Sequence, residues 1–152
     1  MEHVFADTDI ILDLLARREP FFEPAAALFS LADQKRITLH VSSLSFANLN
    51  YLLSRQYTAT KARKILMQFK TLATVLPVND KVVELALASD FKDFEDALQY
   101  YTALQQGVPT ILTRNLKDYK HAEAMVMTAA QYLKSSDACH GELRRTMSSV
   151  EP

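Results

Sequence analysis

The sequence predicts an α/β fold, a three-layer α/β/α domain with a mainly parallel sheet of four to five strands. Short β-rich runs alternate along the chain with longer segments of helical periodicity. Strands that are joined through helices need crossover connections, which make the strands parallel and cover both faces of the sheet. No internal repeat or linker interrupts this pattern. We therefore expect one domain at residues 1–134 and a polar tail at residues 135–152.

The first half of the chain supplies two predicted strands and four predicted helices. The strand "HVFA" precedes the helix "TDIILDLLARR", whose apolar face is formed by Ile10, Ile11, Leu14 and Leu15. The helix "EPAAALFSLADQKR" has Pro24 in its first turn, where a missing N–H is harmless. The strand "ITLHVSS" follows, and then come the helices "SFANLNYLLSRQY" and "TATKARKILMQFKTLA".

The second half continues the alternation. The strand "TVLPV" is closed by Pro77, and Asn79 is a natural N-cap for the helix "NDKVVELALAS". The helix "DFEDALQYYTALQQG" ends at Gly107, a position that favours a left-handed residue. The strand "VPTILT" follows, and "AMVMTAAQYL" is predicted to be a last short strand running into a helix.

Composition excludes several classes of function. With only Gly107 and Gly141, the chain has too few glycines for a GxGxxG turn or a P-loop. The lone Cys139 cannot form an intrachain disulfide, and the four histidines are too scattered for a zinc site. No apolar stretch approaches the roughly 20 residues of a membrane span, and the N-terminus does not resemble a signal peptide. We expect a cytoplasmic protein that does not bind membranes.

Charge is unevenly distributed although the formal net charge is only −1. Residues 34–79 contain no Asp or Glu, and they carry Lys35, Arg36, Arg55, Lys61, Arg63, Lys64 and Lys70. Acidic residues concentrate at the N-terminus and in "SDFKDFED". The basic segment is either a solvated helix surface or a surface for a polyanion.

Four acidic residues are predicted to meet at one edge of the sheet, because ligands of open parallel sheets bind outside the carboxyl ends of the strands. Asp7 follows the first strand and Asp118 follows the fourth, while Asp93 and Asp96 open the helix that leads into the fourth. Two carboxylates about 4 Å apart repel by roughly 4 kcal/mol at an effective dielectric of 20. A hard divalent cation such as Mg²⁺ relieves that repulsion, as does proton uptake.

Some of these acids also have local explanations. Asp93 and Asp96 can cap the N-terminus of their own helix, and Asp9 can cap the first helix, with Asp13 one turn further on. Asp7 has no evident local donor, since it closes an apolar strand. Asp7 is therefore the clearest candidate for a functional acid.

Four motifs together resemble the PIN domain family, a nuclease fold found in the toxins of bacterial toxin–antitoxin pairs and in RNA-processing proteins. They are "FADTDIILDLL", "SSLSFANLNYLL", "DFEDALQYYTAL" and "ILTRNLKDY", and the likeness covers about residues 3–133. The resemblance implies a Mg²⁺- or Mn²⁺-dependent endoribonuclease that acts on RNA. It also implies a homodimer and a possible antitoxin partner.

The resemblance implies a role for each matching position. It makes Asp7, Asp96 and Asp118 the catalytic, metal-binding acids and Asp93 a supporting fourth metal ligand. The expected supporting residues are Thr8, Asn48 and Asn115. Arg114 and Lys117 are the expected substrate-binding residues, and the basic segment would suit the RNA backbone.

Two positions depart from the usual PIN pattern. Asn48 stands where the family usually has Glu, and Asp9 stands where it usually has Asn; a branch that also reads "DFEDA" and "TRN" is similar in having Asn at the first of these positions. The Asn48 amide can orient a water or cap its helix, but it supplies no charge. One alternative is therefore a catalytically weakened PIN domain that binds RNA or a protein partner.

Two further alternatives come from other classes. The "DTD" at residues 7–9 resembles the opening of haloacid-dehalogenase-type phosphatases, but the Gly and Thr expected directly after it, and the later Lys and Gly-Asp motifs, are missing. The domain could also be an interaction module in which the acids only cap helices. Dependence of activity on a metal separates these hypotheses.

Overall fold

The computed structural model describes residues 1–119 and 122–136. Five strands form a single sheet in the order β3-β2-β1-β4-β5, and all four pairings between neighbours are parallel. The strands are β1 Glu2–Ala6, β2 Ile37–Ser42, β3 Thr74–Leu76, β4 Thr110–Leu112 and β5 Met125–Met127. The predicted parallel α/β fold is confirmed.

Helices connect the strands as the sequence predicts. They are α1 Thr8–Leu15, α2 Phe22–Asp33, α3 Ser43–Gln56, α4 Ala59–Lys70, α5 Asp80–Leu87 and α6 Phe94–Gln105, with a 3₁₀ turn at Leu116–Tyr119. The chain is helical again at residues 129–136, so the expected boundary at residue 134 falls inside a helical segment. Most of the predicted tail lies outside the described residues. None of the helices in the described ranges is long and apolar enough to span a bilayer.

The sheet is covered on both faces because successive residues of a strand point to opposite sides. Val4 and Ala6 belong to the core cluster that includes Ile11, Leu28 and Leu49, and therefore pack with α1, α2 and α3. Phe5, between them, belongs to the cluster on the other face, which includes Tyr100 and Ala103 of α6. The domain therefore has the predicted three layers.

Helices α1 and α2 both end earlier than predicted. Each of α1 and α2 is closed by a non-glycine residue in the left-handed region, Arg17 at φ 52° and Lys35 at φ 58°. In both cases the two residues after the C-cap donate their backbone N–H to carbonyls of the last turn, which is the Schellman motif. Gly107, at φ 69°, closes α6 in the same way and was predicted. The ends of α1 and α2 have no glycine that would have predicted a left-handed residue there.

A buried polar network joins three helices to the carboxyl end of β2. Gln99 of α6 is fully buried, and its side-chain amide donates to the hydroxyls of Thr8 at 3.0 Å and Ser45 at 2.9 Å. Its carbonyl oxygen accepts from the Ser42 hydroxyl at 2.5 Å. Because each of these buried groups has a partner, the network fixes α1, α3 and α6 relative to one another beside Asp7.

Candidate active site

Asp7 lies where β1 meets α1 and is held by groups from both ends of the chain. Its side chain is 5% exposed. Its Oδ1 accepts from the backbone N–H of Thr8 at 2.7 Å, and its Oδ2 accepts from the hydroxyls of Thr113 at 3.0 Å and Tyr119 at 3.3 Å. The expectation that Asp7 lacks a local donor is wrong, because Asp7 is itself the N-cap of α1.

Asp9 does not cap α1, contrary to expectation. The helix begins one residue after Asp7, so Asp9 is already in its first turn. Its Oδ2 accepts from the backbone N–H of Arg114 at 3.2 Å, while its Oδ1 is buried without a hydrogen-bond partner in the described part of the chain. Burial raises the pKa of Asp9. Asp9 therefore links α1 to the segment that follows β4.

Asp96 lies at the centre of the acidic cluster. The predicted cap is confirmed, since Asp93 Oδ1 accepts from the backbone N–H of Asp96 at 3.1 Å. The Asp96 side chain is buried, and its Oδ2 has no hydrogen-bond donor from the described residues. Its carboxyl group interacts electrostatically with Asp7, Asp93 and Asp118. The structure thus places Asp7, Asp93 and Asp118 within electrostatic range of Asp96.

Burial and nearby negative charges raise the pKa values of two acids in this cluster, Asp7 and Asp96. Desolvation, followed by the charges of Asp7, Asp93 and Asp118, raises the pKa of Asp96 to about 8. Desolvation and the charge of Asp9 raise the pKa of Asp7 to about 7, against the lowering effect of its hydrogen bonds. These acids therefore retain protons near neutral pH unless a cation replaces the protons.

The donor set fits a hard divalent cation. Its members are carboxylate oxygens, and Oδ2 of Asp96 is buried without a donor. The described residues hold no preformed group of three or more His, Cys, Asp or Glu side chains at metal-ligand geometry. A closed group is not required for Mg²⁺, which keeps several waters and commonly uses one or two carboxylates.

Asn48 and Glu95 form a contact that the sequence did not reveal. The Asn48 amide of α3 donates a hydrogen bond to the Glu95 carboxylate of α6. Asn48 lies inside α3, so the suggestion that it caps its helix is wrong. Burial and the charge of Asp93 raise the pKa of Glu95. A carboxylate from α6 therefore stands beside the position at which a PIN domain usually has Glu.

Asn115 makes hydrogen bonds within the turn that carries Asp118, and Lys117 lies next to Asp118 in that turn. The Asn115 backbone N–H donates to the Thr113 hydroxyl at 3.1 Å, and its carbonyl accepts from the Asp118 N–H at 3.1 Å. Lys117 is exposed. Tyr119, in the same turn, was missed by the sequence analysis; burial and the charge of Asp7 keep its pKa above the usual value, so it remains a donor to Asp7.

Arg114 is turned toward α1 and α2. Its Nε lies 2.9 Å from Oδ2 of Asp13, and its guanidinium carbon lies 4.3 Å from the centroid of the Phe21 ring. Part of the basic segment lies elsewhere: Lys35 borders a surface pocket with Met1 and Thr71, near the amino ends of the strands. That part of the segment is at the opposite edge of the sheet from Asp7.

Comparison with known proteins places this geometry in a family. Residues 3–117 match the family PIN_3, described as a PIN domain. The chain belongs to the PIN domain family. This PIN domain is 26% identical over 136 residues to Ribonuclease VapC1 of Aquifex aeolicus, covering 86% of this chain and 93% of that protein.

Solved structures share the fold of this PIN domain. One is Mycobacterium tuberculosis VapC20, titled a sarcin-ricin loop cleaving toxin, with a TM-score of 0.63 at 19% identity over 80% of this chain and 96% of that one. Another is DNA-bound VapBC of Salmonella typhimurium, with a TM-score of 0.63 at 17% identity over 84% of this chain and 97% of that one. In this PIN domain, the family match includes Asp7, Asp93 and Asp96 and ends one residue before Asp118.

The raised pKa values predict how stability depends on pH without metal. Folded Asp7 and Asp96 keep protons that the unfolded chain has lost, so unfolding releases protons between about pH 4 and about pH 8. The free energy of unfolding should fall as pH rises across this window and level off above it. Asp96→Asn should flatten the decline and stabilise the metal-free protein at pH 8 by about 1–3 kcal/mol. Urea unfolding at several pH values measures this.

Asp33→Asn is the matched control, because Asp33 is an exposed acid at the end of α2, by the opposite edge of the sheet. It should leave the shape of the pH profile unchanged. Stability that rises from pH 5 to pH 8 in the metal-free wild type would contradict the raised pKa values.

Proposed function

We propose that this PIN domain is a divalent-metal-dependent endoribonuclease of the toxin type. The observation that supports the proposal is that Asp7 and Asp118 lie within electrostatic range of the buried Asp96, with pKa values raised in Asp7 and Asp96. The curated relative named Ribonuclease VapC1 and the neighbour titled a sarcin-ricin loop cleaving toxin support RNA as the substrate.

Asp7, Asp96 and Asp118 would hold Mg²⁺ or Mn²⁺, with Asp93 as a supporting acid. A bound ion would polarise the phosphodiester and lower the pKa of an attacking water. The proton on Asp96 must leave before its carboxylate can act as a ligand, so metal binding is coupled to proton release. Hydrogen bonds from Thr113 and Tyr119 would keep the Asp7 carboxylate oriented toward the proposed metal site.

Other residues of the chain complete the site in this proposal. The exposed ammonium group of Lys117, next to Asp118 in sequence, would contact a phosphate of the RNA. The Asn48 amide fixes Glu95, whose carboxylate replaces the charge that Asn48 itself lacks. The unusual Asn48 is therefore compatible with catalysis.

Cleavage of single-stranded RNA with Mn²⁺ or Mg²⁺ tests the proposal. Asp7→Asn and Asp96→Asn should each lower the rate by about 100-fold or more, since residues that merely support metal ligands already matter by 10–100-fold. Asp33→Asn should cleave like the wild type, and a chelator should abolish cleavage.

Each other outcome has a definite meaning. Cleavage that survives both substitutions would show that a contaminant or another site is responsible. RNA binding without cleavage would favour the catalytically weakened PIN domain. Hydrolysis of a small phosphomonoester through an aspartyl-phosphate on Asp7 would favour the haloacid-dehalogenase-type phosphatase.

A toxin role implies partners, and the proposal includes an antitoxin protein and a homodimer in the cytoplasm. The neighbour from Salmonella typhimurium is VapBC bound to DNA, and the neighbour from Mycobacterium tuberculosis is titled a toxin. Expression in a bacterial host should arrest growth with the wild type and not with Asp96→Asn. Normal growth with a chain that cleaves RNA in vitro would contradict the toxin role.

A further inference from the structure

A cavity of about 320 Å³ is lined by residues of α1, the start of α2 and the segment after β4. Its volume is at the small end of ligand pockets, which suits one planar ring system. Its lining includes Ile10, Asp13, Phe21, Arg114, Thr128 and Ala130. We call this cavity the base pocket.

Asp13 brings an unpartnered acceptor to the base pocket. Its side chain is 1% exposed, and its Oδ2 is engaged with Arg114 Nε at 2.9 Å. Its Oδ1 is buried and has no hydrogen-bond partner within the described residues. Leaving a buried acceptor unsatisfied is unfavourable, and more so when it is charged, so this oxygen indicates a ligand with N–H donors.

Arg114 and Phe21 give the pocket a flat cationic and aromatic wall. The Arg114 guanidinium carries five N–H donors, more than one carboxylate can accept, and it remains 29% exposed. It stacks over Phe21, whose own side chain is 40% exposed. Ile10 and Ala129 make the rest of the lining partly apolar. Such surfaces stack unpaired RNA bases.

The base pocket is connected to the acidic cluster through two adjacent residues. Thr113 donates to Asp7, and the backbone N–H of Arg114 donates to Asp9. A phosphate bound at the acids would therefore have a neighbouring nucleotide within reach of Arg114 and Asp13.

We propose that the base pocket binds a guanine base next to the phosphate that is cleaved, which makes Asp13, Arg114 and Phe21 specificity-determining residues. Guanine places two N–H donors, at N1 and N2, beside the carbonyl oxygen O6. The donors match Asp13 Oδ1 and the carbonyl matches the Arg114 guanidinium, while the ring stacks beside Phe21. The cleavage part of this inference rests on the proposed ribonuclease function.

Other bases match the pocket less well. Uracil offers one N–H between two carbonyl groups. Adenine and cytosine offer an amino group beside a ring nitrogen that has no hydrogen. Neither base has a ring N–H between an amino group and a carbonyl group, as guanine has. Inosine keeps N1–H and O6 but lacks the 2-amino group, so it isolates one of the two donors.

Binding and cleavage are measured with four single-stranded RNAs that differ at one position, which holds guanosine, inosine, adenosine or uridine. Fluorescence anisotropy with the full chain in chelator gives affinity without cleavage. We expect guanosine to bind about tenfold more tightly than adenosine or uridine, with inosine between. With Mn²⁺ present, cleavage should be fastest next to guanosine.

Two variants and one control locate the preference. Ala130→Leu puts a larger side chain into the pocket from an exposed helical position and should reduce the guanosine preference to about twofold or less. Asp13→Asn replaces one acceptor oxygen by an amino group; with the remaining oxygen facing Arg114, that donor would face the N–H groups of guanine, so this variant should act alike. Ala130→Leu keeps the test valid if the buried substitution impairs folding. Ala59→Leu, an exposed helical alanine of α4 outside the pocket, should retain the preference.

The outcomes separate this inference from the proposed function. Equal affinity of the wild type for all four RNAs would contradict the proposal that the base pocket binds guanine. A guanosine preference that Ala130→Leu leaves intact would contradict it as well. Guanosine-selective binding without cleavage in any metal supports the pocket and contradicts the nuclease. Metal-dependent cleavage with no base preference supports the nuclease and contradicts guanine binding in the base pocket.

Discussion

Mutual repulsion among buried carboxylates is the constraint on which the rest of the site depends. Asp7 and Asp96 come from segments far apart in sequence, yet the parallel sheet places both at its carboxyl edge. Burial removes the water that would otherwise solvate their charges; in addition, the charge of Asp7 raises the pKa of Asp96, and the charge of Asp9 raises the pKa of Asp7. Such an arrangement is stable only with protons or a cation in place.

The protein holds the acids in position by satisfying some of their oxygens and leaving others unsatisfied. Donors from Thr8, Thr113 and Tyr119 occupy both oxygens of Asp7. Asp96 Oδ2 has none among the described residues, and Asp118 lies beside it. The same contrast occurs at Asp13, where one oxygen pairs with Arg114 and the other does not. Unsatisfied acceptors thus mark both the candidate metal site and the base pocket.

The sequence predicted the features that depend on local patterns. Strand and helix alternation, the cap at Asp93 and the left-handed Gly107 all follow from nearby residues. It did not predict the early helix ends at Arg17 and Lys35, because nothing in these side chains signals a left-handed conformation. The choice between Asp7 and Asp9 as the cap, and contacts such as Asn48 with Glu95, depend on tertiary packing. Spacing along the chain carries no information about such contacts.

Calorimetric titration with Mn²⁺ near pH 7.5, repeated in buffers of different ionisation enthalpy, tests most directly whether the acids share a cation. The account predicts about one ion bound per chain with release of roughly one proton, since Asp96 must ionise to bind. Asp96→Asn should lose both the binding and the proton release. No Mn²⁺ binding by the wild type, or binding of equal strength and without proton release in both proteins, would contradict it.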